Sequence, residues 1–213
     1  MKDTSWETHY TAGKSELLYP DENLVRLLKK SPLLGTPAAL TAIDLGCGSG
    51  RHLKLLADLG IAGVIGLDSS YNALMISGKL CPGHLLQANN LSLPFKNRSA
   101  DIVIAWGSLH YCSKTDFAAM LKEIHRILKN GGSLMATLRS SRDTYLKRGK
   151  HIGNDTWITD LNDINGSTAS FYSEEELQSA FSLFGSFTYG LMERTIMGDI
   201  TALISHWVIE AGK

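Results

Sequence analysis

Residues 42–50 read Ala-Ile-Asp-Leu-Gly-Cys-Gly-Ser-Gly, so an acid closes an apolar run and glycine then falls at every second position, Gly46, Gly48 and Gly50. Glycine lets a backbone turn through left-handed conformations and lets a ligand approach without a Cβ in the way. Asp44, ahead of that turn, repels a phosphate and suits a ligand carrying an ammonium group, held directly or through water. A second acid, Asp68, closes another apolar run, 24 residues after Asp44. A carboxylate there can accept hydrogen bonds from both hydroxyls of a diol. Further on, His110 and Tyr111 follow a third apolar run. An imidazole that titrates near neutrality can serve as a general base, or it can cap a helix or simply pack.

These residues need strands that end at one edge of a sheet. From about residue 40 to 140 the chain alternates short apolar runs with amphipathic stretches. The runs Leu40–Leu45, Val64–Asp68, Leu85–Ala88, Asp101–Trp106 and Ser133–Leu138 are nearly continuous in apolar residues, as strands covered on both faces are. Arg51–Leu59 and Asp116–Leu128 carry helical periodicity; the latter places Phe117, Met120, Leu121, Ile124, Ile127 and Leu128 on one face. This rhythm predicts an α/β fold: a Rossmann-like, seven-stranded, mostly parallel sheet with helices on both faces and right-handed crossovers. In such sheets ligands bind beyond the carboxyl ends of the strands, where strand order reverses.

The flanks read differently. Residues 1–35 predict two helical pieces, the second opened by Pro20 and Asp21. Residues 140–172 are polar and predict an irregular insertion of the kind tied to function. Ser173 with Glu176 forms a capping-box pattern that starts a helix through about Phe184. Two β-like runs follow, near 186–192 and 202–210. The whole predicts one domain over 1–213. Its parts are an N-terminal helical lid (1–35), a ligand-binding core (40–140), an acceptor-side insertion (140–172) and a C-terminal helix with strands (173–213).

The 213 residues carry 21 Lys plus Arg against 21 Asp plus Glu, a formal net charge of zero. A protein gripping nucleic acid usually shows a basic stripe; Lys147, Arg148 and Lys150 make too short a cluster, so a nucleic-acid partner is not expected. No apolar run reaches the length of a membrane helix, and MKDTSWETHY has no signal-peptide core. Cys47, Cys81 and Cys112 are isolated, with no CxxC pair. That pattern predicts no metal site and a reducing, cytoplasmic location.

A dinucleotide site is the first alternative for the glycine loop. Its fingerprint, G-x-G-x-x-G/A, would need glycine or alanine where Arg51 stands, because the third glycine here comes one residue early. The loop instead resembles the D-x-G-x-G-x-G motif of the class I S-adenosylmethionine-dependent methyltransferases, in their domain 11/25-like form. The resemblance covers about residues 40–140, and four further segments fall in order. Asp68, in VIGLDSS, matches the acid that holds the ribose hydroxyls. QANNLSLPF (87–95) resembles G-D-A-x-x-L-P-F, with Asn89 in place of the acid that accepts from the adenine amino group; both asparagines also suit a simple turn. SADIVIAWGSLHYCS (99–113) resembles F-D-x-V-x-x-x-x-x-L-H-H. EIHRILKNGGSLMATL (123–138) resembles E-x-x-R-V-L-K-P-G-G, with Asn130 in place of proline.

The resemblance implies S-adenosyl-L-methionine as cofactor, and a last strand inserted antiparallel between the fifth and sixth. It implies cofactor contacts from Asp44, Gly46, Cys47, Gly48, Gly50, Asp68, Ser69, Asn89, Asn90, Ala105 and Trp106. His110 is the candidate base. Trp6, Tyr10, Tyr19, Tyr111 and Arg139 are candidates for the acceptor side; for Arg139, with Arg142 and Lys147, the alternative is a solvated loop. His206 and Trp207 read as structural. The expected reaction is in-line methyl transfer to a small-molecule acceptor by a monomer or homodimer. The alternatives are a methyltransferase acting on tRNA or protein, a binding protein that keeps the fold alone, and an NAD-dependent oxidoreductase.

Overall fold

The computed structural model describes residues 5–81, 83–162 and 164–213. Its main sheet is built from β1 (Thr41–Leu45), β2 (Gly63–Asp68), β3 (His84–Gln87), β4 (Ala100–Ala105), β5 (Leu128–Arg139), β9 (Ser186–Ile196) and β10 (Asp199–Gly212). The strand order is β3-β2-β1-β4-β5-β10-β9. The first five strands pair in parallel, and β10 runs antiparallel to both β5 and β9. This is the predicted Rossmann-like sheet, with the last strand inserted where expected. Strand order reverses between β1 and β4, so the carboxyl ends of β1, β2 and β4 flank the crevice such sheets use for ligands.

Helices α2 (Glu22–Lys30) and α3 (Arg51–Asp58) cover one face, and α5 (Lys114–Ile127) and α6 (Glu174–Ala180) the other. Alternation along the strands divides the core accordingly. Ile43, Val103, Ala105, Ala136 and Leu138 meet Phe117, Leu121, Ile124, Leu177 and Phe181. On the opposite face Ala42, Ile102, Ile104, Trp106 and Met135 meet Leu24, Leu28 and Leu56. Side-chain caps set the helix starts: Asp21 accepts from the Asn23 N–H, Ser113 from Asp116, and Ser173 from Glu176 in a full capping box. Helix α4 (Tyr71–Leu80) is capped by Ser70, which accepts from the Ala73 N–H.

The insertion differs from expectation. Residues 140–172 hold a second, three-stranded antiparallel sheet: β6 (Gly149–Gly153), β7 (Thr156–Thr159) and β8 (Thr168–Ser170). Its strands are short and mostly polar, so periodicity alone does not reveal them. They close a small core of Leu146, Ile164, Ala169 and Phe171, against which Trp6, Tyr111 and Tyr145 pack. The N-terminal helix α1 (Ser5–Thr11) therefore meets the insertion, and it also contacts α4.

Gly50 is fixed by packing. It caps α3 in a left-handed conformation, φ 88°, and a Cβ there would collide with the Ser77 hydroxyl and lie 3.1 Å from the Ser77 Cα in α4. Gly50→Ala is therefore expected to lower stability by about 1–3 kcal/mol, read as a fall in the denaturation midpoint. Adding Ser77→Gly should recover part of that loss by removing the hydroxyl, and no recovery would mean that φ strain alone is responsible.

Candidate functional site

The loop after β1 is tied to the end of β2 by three hydrogen bonds, and a fourth ties the end of β2 to the start of α4. Gly46 and Cys47 donate their backbone N–H groups to the Leu67 carbonyl, at 2.7 and 3.0 Å. Gly48 donates to Asp68 Oδ2 and Ser70 to Asp68 Oδ1, both at 2.9 Å. The Asp68 carbonyl accepts from Ala88 at 3.1 Å and so draws in the turn after β3. Asp68 is buried, and burial raises its pKa while these backbone donors pull it down. Each carboxylate oxygen can accept more than one hydrogen bond, so both keep capacity for a ligand diol.

The glycines have separate reasons. A Cβ on Gly46 (φ 72°) would lie 2.5 Å from Ser108 Cβ, so this residue lets the loop after β4 approach; Ser108 Oγ in turn donates to the Leu45 carbonyl at 2.7 Å. A Cβ on Gly48 (φ 53°) would lie 2.5 Å from the Tyr10 hydroxyl. Cys47 points its thiol into a cluster with Leu53 and Leu74, and burial pushes its pKa up. At this position the backbone, not the thiol, faces the loop.

Asp44 lies at the carboxyl end of β1, 1% exposed, and its Oδ2 has no hydrogen-bond partner. Burial first, and the nearby Asp68 charge second, push its pKa up to about 7; Arg51 opposes them. His52 Nδ1 is 3.9 Å away, but burial drives the His52 pKa down to about 3, so this imidazole is neutral and forms no ion pair. Asp44 is a buried carboxylate without a matching cation, a state that costs free energy until a positive group arrives.

Helix α1 roofs this pocket. Asn72, at the start of α4, donates its N–H to Glu7 Oε1 (3.3 Å) and its side-chain amide to Thr11 Oγ1 (2.7 Å). Burial and Asp68 raise the Tyr10 pKa, so the hydroxyl over Gly48 stays protonated. Residues 12–21 run on as a strap: Ser49 Oγ donates to the Leu17 carbonyl (2.6 Å) and Arg51 to the Tyr19 carbonyl (3.2 Å). Tyr19 thus contributes its backbone carbonyl, and the residue is 82% exposed.

The remaining candidates sort by position. Ser69 is exposed beside Asp68, with its carbonyl on Gln87 Nε2. Asn89 is exposed, and its Oδ1 accepts from the Leu91 N–H at 3.0 Å, which is the turn role. The adjacent Asn90 Oδ1 is buried and unpartnered. Ala105 ends β4 fully buried, paired with Ala136. Trp106 does not lie over the pocket with its ring: that ring packs into the core with Leu24, Leu28 and Met135, because strand alternation turns position 106 toward α2.

On the other side of the crevice, β5 and β10 bring Arg139 directly opposite His206. Arg139 belongs to the last position of β5 and is buried, neither solvated nor part of a loop. Its Nη1 donates to Asp143 Oδ2, while Asp143 also accepts from the N–H groups of Leu146 and Ser205, both at 2.9 Å. His110 is fully buried, with its ring 4.3 Å from that of Tyr111 and 5.8 Å from that of His206. Neither His110 nitrogen meets hydrogen-bond geometry. Burial first, then the Arg139 charge and His206, hold its pKa well below the usual range; the Thr137 backbone beside it works weakly the other way. His206 is likewise held down to about 3. Trp6 stands edge-on to Tyr111 at 4.7 Å and closes this cluster from above. Asp143 and His206 were not singled out as site residues from sequence. The available signal was the Arg139/Asp143 spacing of four, and it becomes meaningful only once β10 is known to lie beside β5.

The chemistry on offer is a partnerless acid for a cation, a second acid with room for a diol, and a covered region of donors beyond them. No group of three His, Cys, Asp or Glu among the described residues is placed to hold a metal ion. No helix among them is long and apolar enough to cross a membrane.

Comparison with known proteins agrees. Residues 43–136 match the family model described as "Methyltransferase domain". A demethylmenaquinone methyltransferase of Bacillus licheniformis is 32% identical over 123 residues, covering 55% of this chain and 52% of that protein. The yeast (Saccharomyces cerevisiae) tRNA (carboxymethyluridine(34)-5-O)-methyltransferase is 29% identical over 119 residues, covering 55% and 42%. The matched segment thus spans about half, or less, of these relatives. Among solved structures, a SAM-dependent methyltransferase from Anabaena variabilis superposes with a TM-score of 0.69 at 18% identity, covering 99% of this chain and 95% of that one. Residues 43–136 thus match a methyltransferase domain, and the whole chain has the fold of solved S-adenosylmethionine-dependent methyltransferases.

The raised Asp44 pKa has a signed consequence. Between about 3.8, where the unfolded carboxyl titrates, and about 7, the folded state holds the proton more tightly. Stability of the ligand-free protein therefore falls as pH rises through that window. At about 1.4 kcal/mol per unit, the contribution is on the order of 4 kcal/mol. Asp44→Asn should be stabilised relative to the parent more at pH 8 than at pH 5, measured by urea denaturation without nucleoside. An equal difference at both pH values would show that Asp44 is not the strained group.

Proposed function

We propose that this chain, with its class I methyltransferase fold, is an S-adenosylmethionine-dependent methyltransferase acting on a small-molecule acceptor. The observation that carries the reading is the pair of buried acids at the ends of adjacent strands. Asp44 lacks a cation, and Asp68 holds the glycine loop while keeping acceptor capacity. The donor set fits the cofactor: an ammonium for Asp44, a ribose diol for Asp68, and Asn90 Oδ1 for a nearby N–H donor of the base. S-adenosylmethionine supplies a methyl group on a sulfonium, which is both the electrophile and the source of driving force. A pyrophosphate would meet the two acids and be repelled, which argues against the dinucleotide alternative.

The chain's own part is to position and to exclude water. Gly46, Cys47, Gly48 and Gly50 shape a loop that presents backbone rather than side chains. Ser69 lines the rim, Ala105 lies buried behind it, and Trp106 holds the end of β4 by packing beneath it. Helix α1 with Tyr10 covers the loop, and residues 1–35 act as the lid of a single domain spanning 1–213. Residues 140–172 form the acceptor-side wall, with Trp6 and Tyr111 between the two. His110 is neutral and weakly basic in its buried setting, so it positions rather than deprotonates. A zero net charge and the locking of Arg139 into an ion pair favour a small acceptor over RNA. The yeast relative, named for a tRNA nucleoside, keeps tRNA as the alternative to be tested.

Asp68→Asn replaces one acceptor oxygen by an amide that opposes a backbone N–H. It is expected to weaken S-adenosylhomocysteine binding at least a hundredfold in calorimetric titration, while His110→Gln changes it less than threefold. Wild-type affinity in a folded Asp68→Asn protein would contradict the assignment. For the acceptor, label from [methyl-³H]S-adenosylmethionine is expected to enter the small-molecule fraction of a cell extract and not the RNA fraction. Label in nuclease-sensitive material would overturn the small-molecule reading.

A further inference from the structure

Beyond the cofactor pocket, the cluster at the carboxyl ends of β4, β5 and β10 holds more buried donors than it uses. Arg139 is 7% exposed, and its Nε–H has no partner. His110 is 0% exposed with both ring nitrogens unpartnered, and His206 Nδ1 is unpartnered as well. Three neighbouring side chains left unsatisfied in one place are unusual, because buried polar groups are almost always paired. Nothing in the fold needs all three: the Arg139–Asp143 pair and the hydrogen bonds of Asp143 to Leu146 and Ser205 already join β5, the insertion and β10.

What the cluster lacks is an anionic acceptor for its spare donors; the Tyr111 hydroxyl, which Arg139 also reaches, and the bare imidazole nitrogens are neutral acceptors. A guanidinium N–H is always a donor, and each neutral imidazole carries one N–H. Among the described residues Asp143 is the one carboxylate ion-paired to Arg139, and it sits on Nη1 away from the free Nε–H. A ligand that brings an anionic oxygen would satisfy Arg139 Nε–H and an imidazole N–H together through charge-assisted bonds. The same setting has no strong base, since both imidazoles are neutral and lie beside the Arg139 cation. An alcohol that must lose a proton before attack is poorly served; an oxygen ionised in advance needs only to be held.

We propose that Arg139, His110 and His206 form the subsite for a methyl acceptor that arrives as an oxyanion, a carboxylate or an acidic phenol. This rests on the methyltransferase reading above. An oxygen lone pair of the acceptor forms the new O–CH3 bond as the methyl–sulfur bond breaks and its electron pair stays on sulfur. The anion and the sulfonium both become neutral, so no proton is transferred and no base is required. Trp6 on Tyr111 seals the cluster, so α1 moves aside to admit the acceptor. Arg139 and His206 act as binding groups, and Asp143 is a positioning residue that fixes the guanidinium plane.

The test is an NMR titration of ¹⁵N-labelled full-length protein, with and without S-adenosylhomocysteine. The probes are benzoate and 4-nitrophenolate, with benzamide and benzyl alcohol as neutral counterparts. At least one anion is expected to bind tenfold or more tightly than its neutral counterpart and to shift the Arg139 Nε–H signal together with the His206 ring signals. Arg139→Lys should weaken anion binding at least tenfold. His206→Phe, which leaves the Arg139–Asp143 pair intact, should weaken it at least threefold and keeps the test open if the first variant does not fold. Equal binding of anion and neutral probe, or anion binding that leaves the Arg139 signal unmoved, overturns the proposal. Failure of S-adenosylhomocysteine to bind while benzoate still moves Arg139 would refute the cofactor reading and leave the oxyanion subsite standing.

Discussion

The Asp68 carboxylate is the constraint on which the site depends. One oxygen holds the Gly48 N–H and the other holds the Ser70 N–H, so a single side chain fixes the glycine loop and the start of α4 together. With the Leu67 carbonyl gripping Gly46 and Cys47, the loop has little freedom. Everything else is placed relative to it. Tyr10 lies on Gly48, Ser108 lies against Gly46, and Ser77 lies against Gly50. A shift of the loop by the width of a methyl group would meet all three. Interiors packed at this density transmit such a shift instead of absorbing it.

Electrostatics divides the crevice in two. On the β1–β2 side two carboxylates are buried, the charge of Asp68 raises the proton affinity of Asp44, and Arg51, from the helix that follows, works the other way. On the β5–β10 side a cation and two neutral imidazoles are buried with a single acid among them. In one half acids outnumber cations, and in the other donors outnumber anionic acceptors. A transfer that begins with a cationic donor and an anionic acceptor, and ends with two neutral products, fits both halves. Helix α1 spans them, with Tyr10 over the first and Trp6 over the second.

Much of this was legible in the sequence, for identifiable reasons. Near-continuous apolar runs marked β1, β2, β4 and β5, and the capping box marked α6, because these signals are local. The glycine spacing, with Arg51 at the next position, separates the loop from a dinucleotide fingerprint by sequence alone. The insertion was not legible as a sheet: β6 to β8 have three to five residues each, and their small core is completed by Trp6 and Tyr111 from distant segments. The ring of Trp106 was out of reach because a residue one step past a strand can face either side. His206 read as structural, since only the antiparallel placement of β10 sets it opposite Arg139. For Tyr19 the structure shows a contact through its carbonyl, which holds the strap and which no side-chain pattern signals.

The central claim is that the crevice beyond β1 and β2 holds a nucleoside with a cationic tail. A crystal of the protein soaked with S-adenosylhomocysteine tests it most directly. The account predicts the ribose hydroxyls on Asp68, the amino-acid tail along Gly46–Gly48 with its ammonium directed to Asp44, and the sulfur facing the His110–Arg139 side beneath α1. Density elsewhere, or an empty crevice in a crystal that binds NAD with its pyrophosphate on the glycine loop, would contradict it.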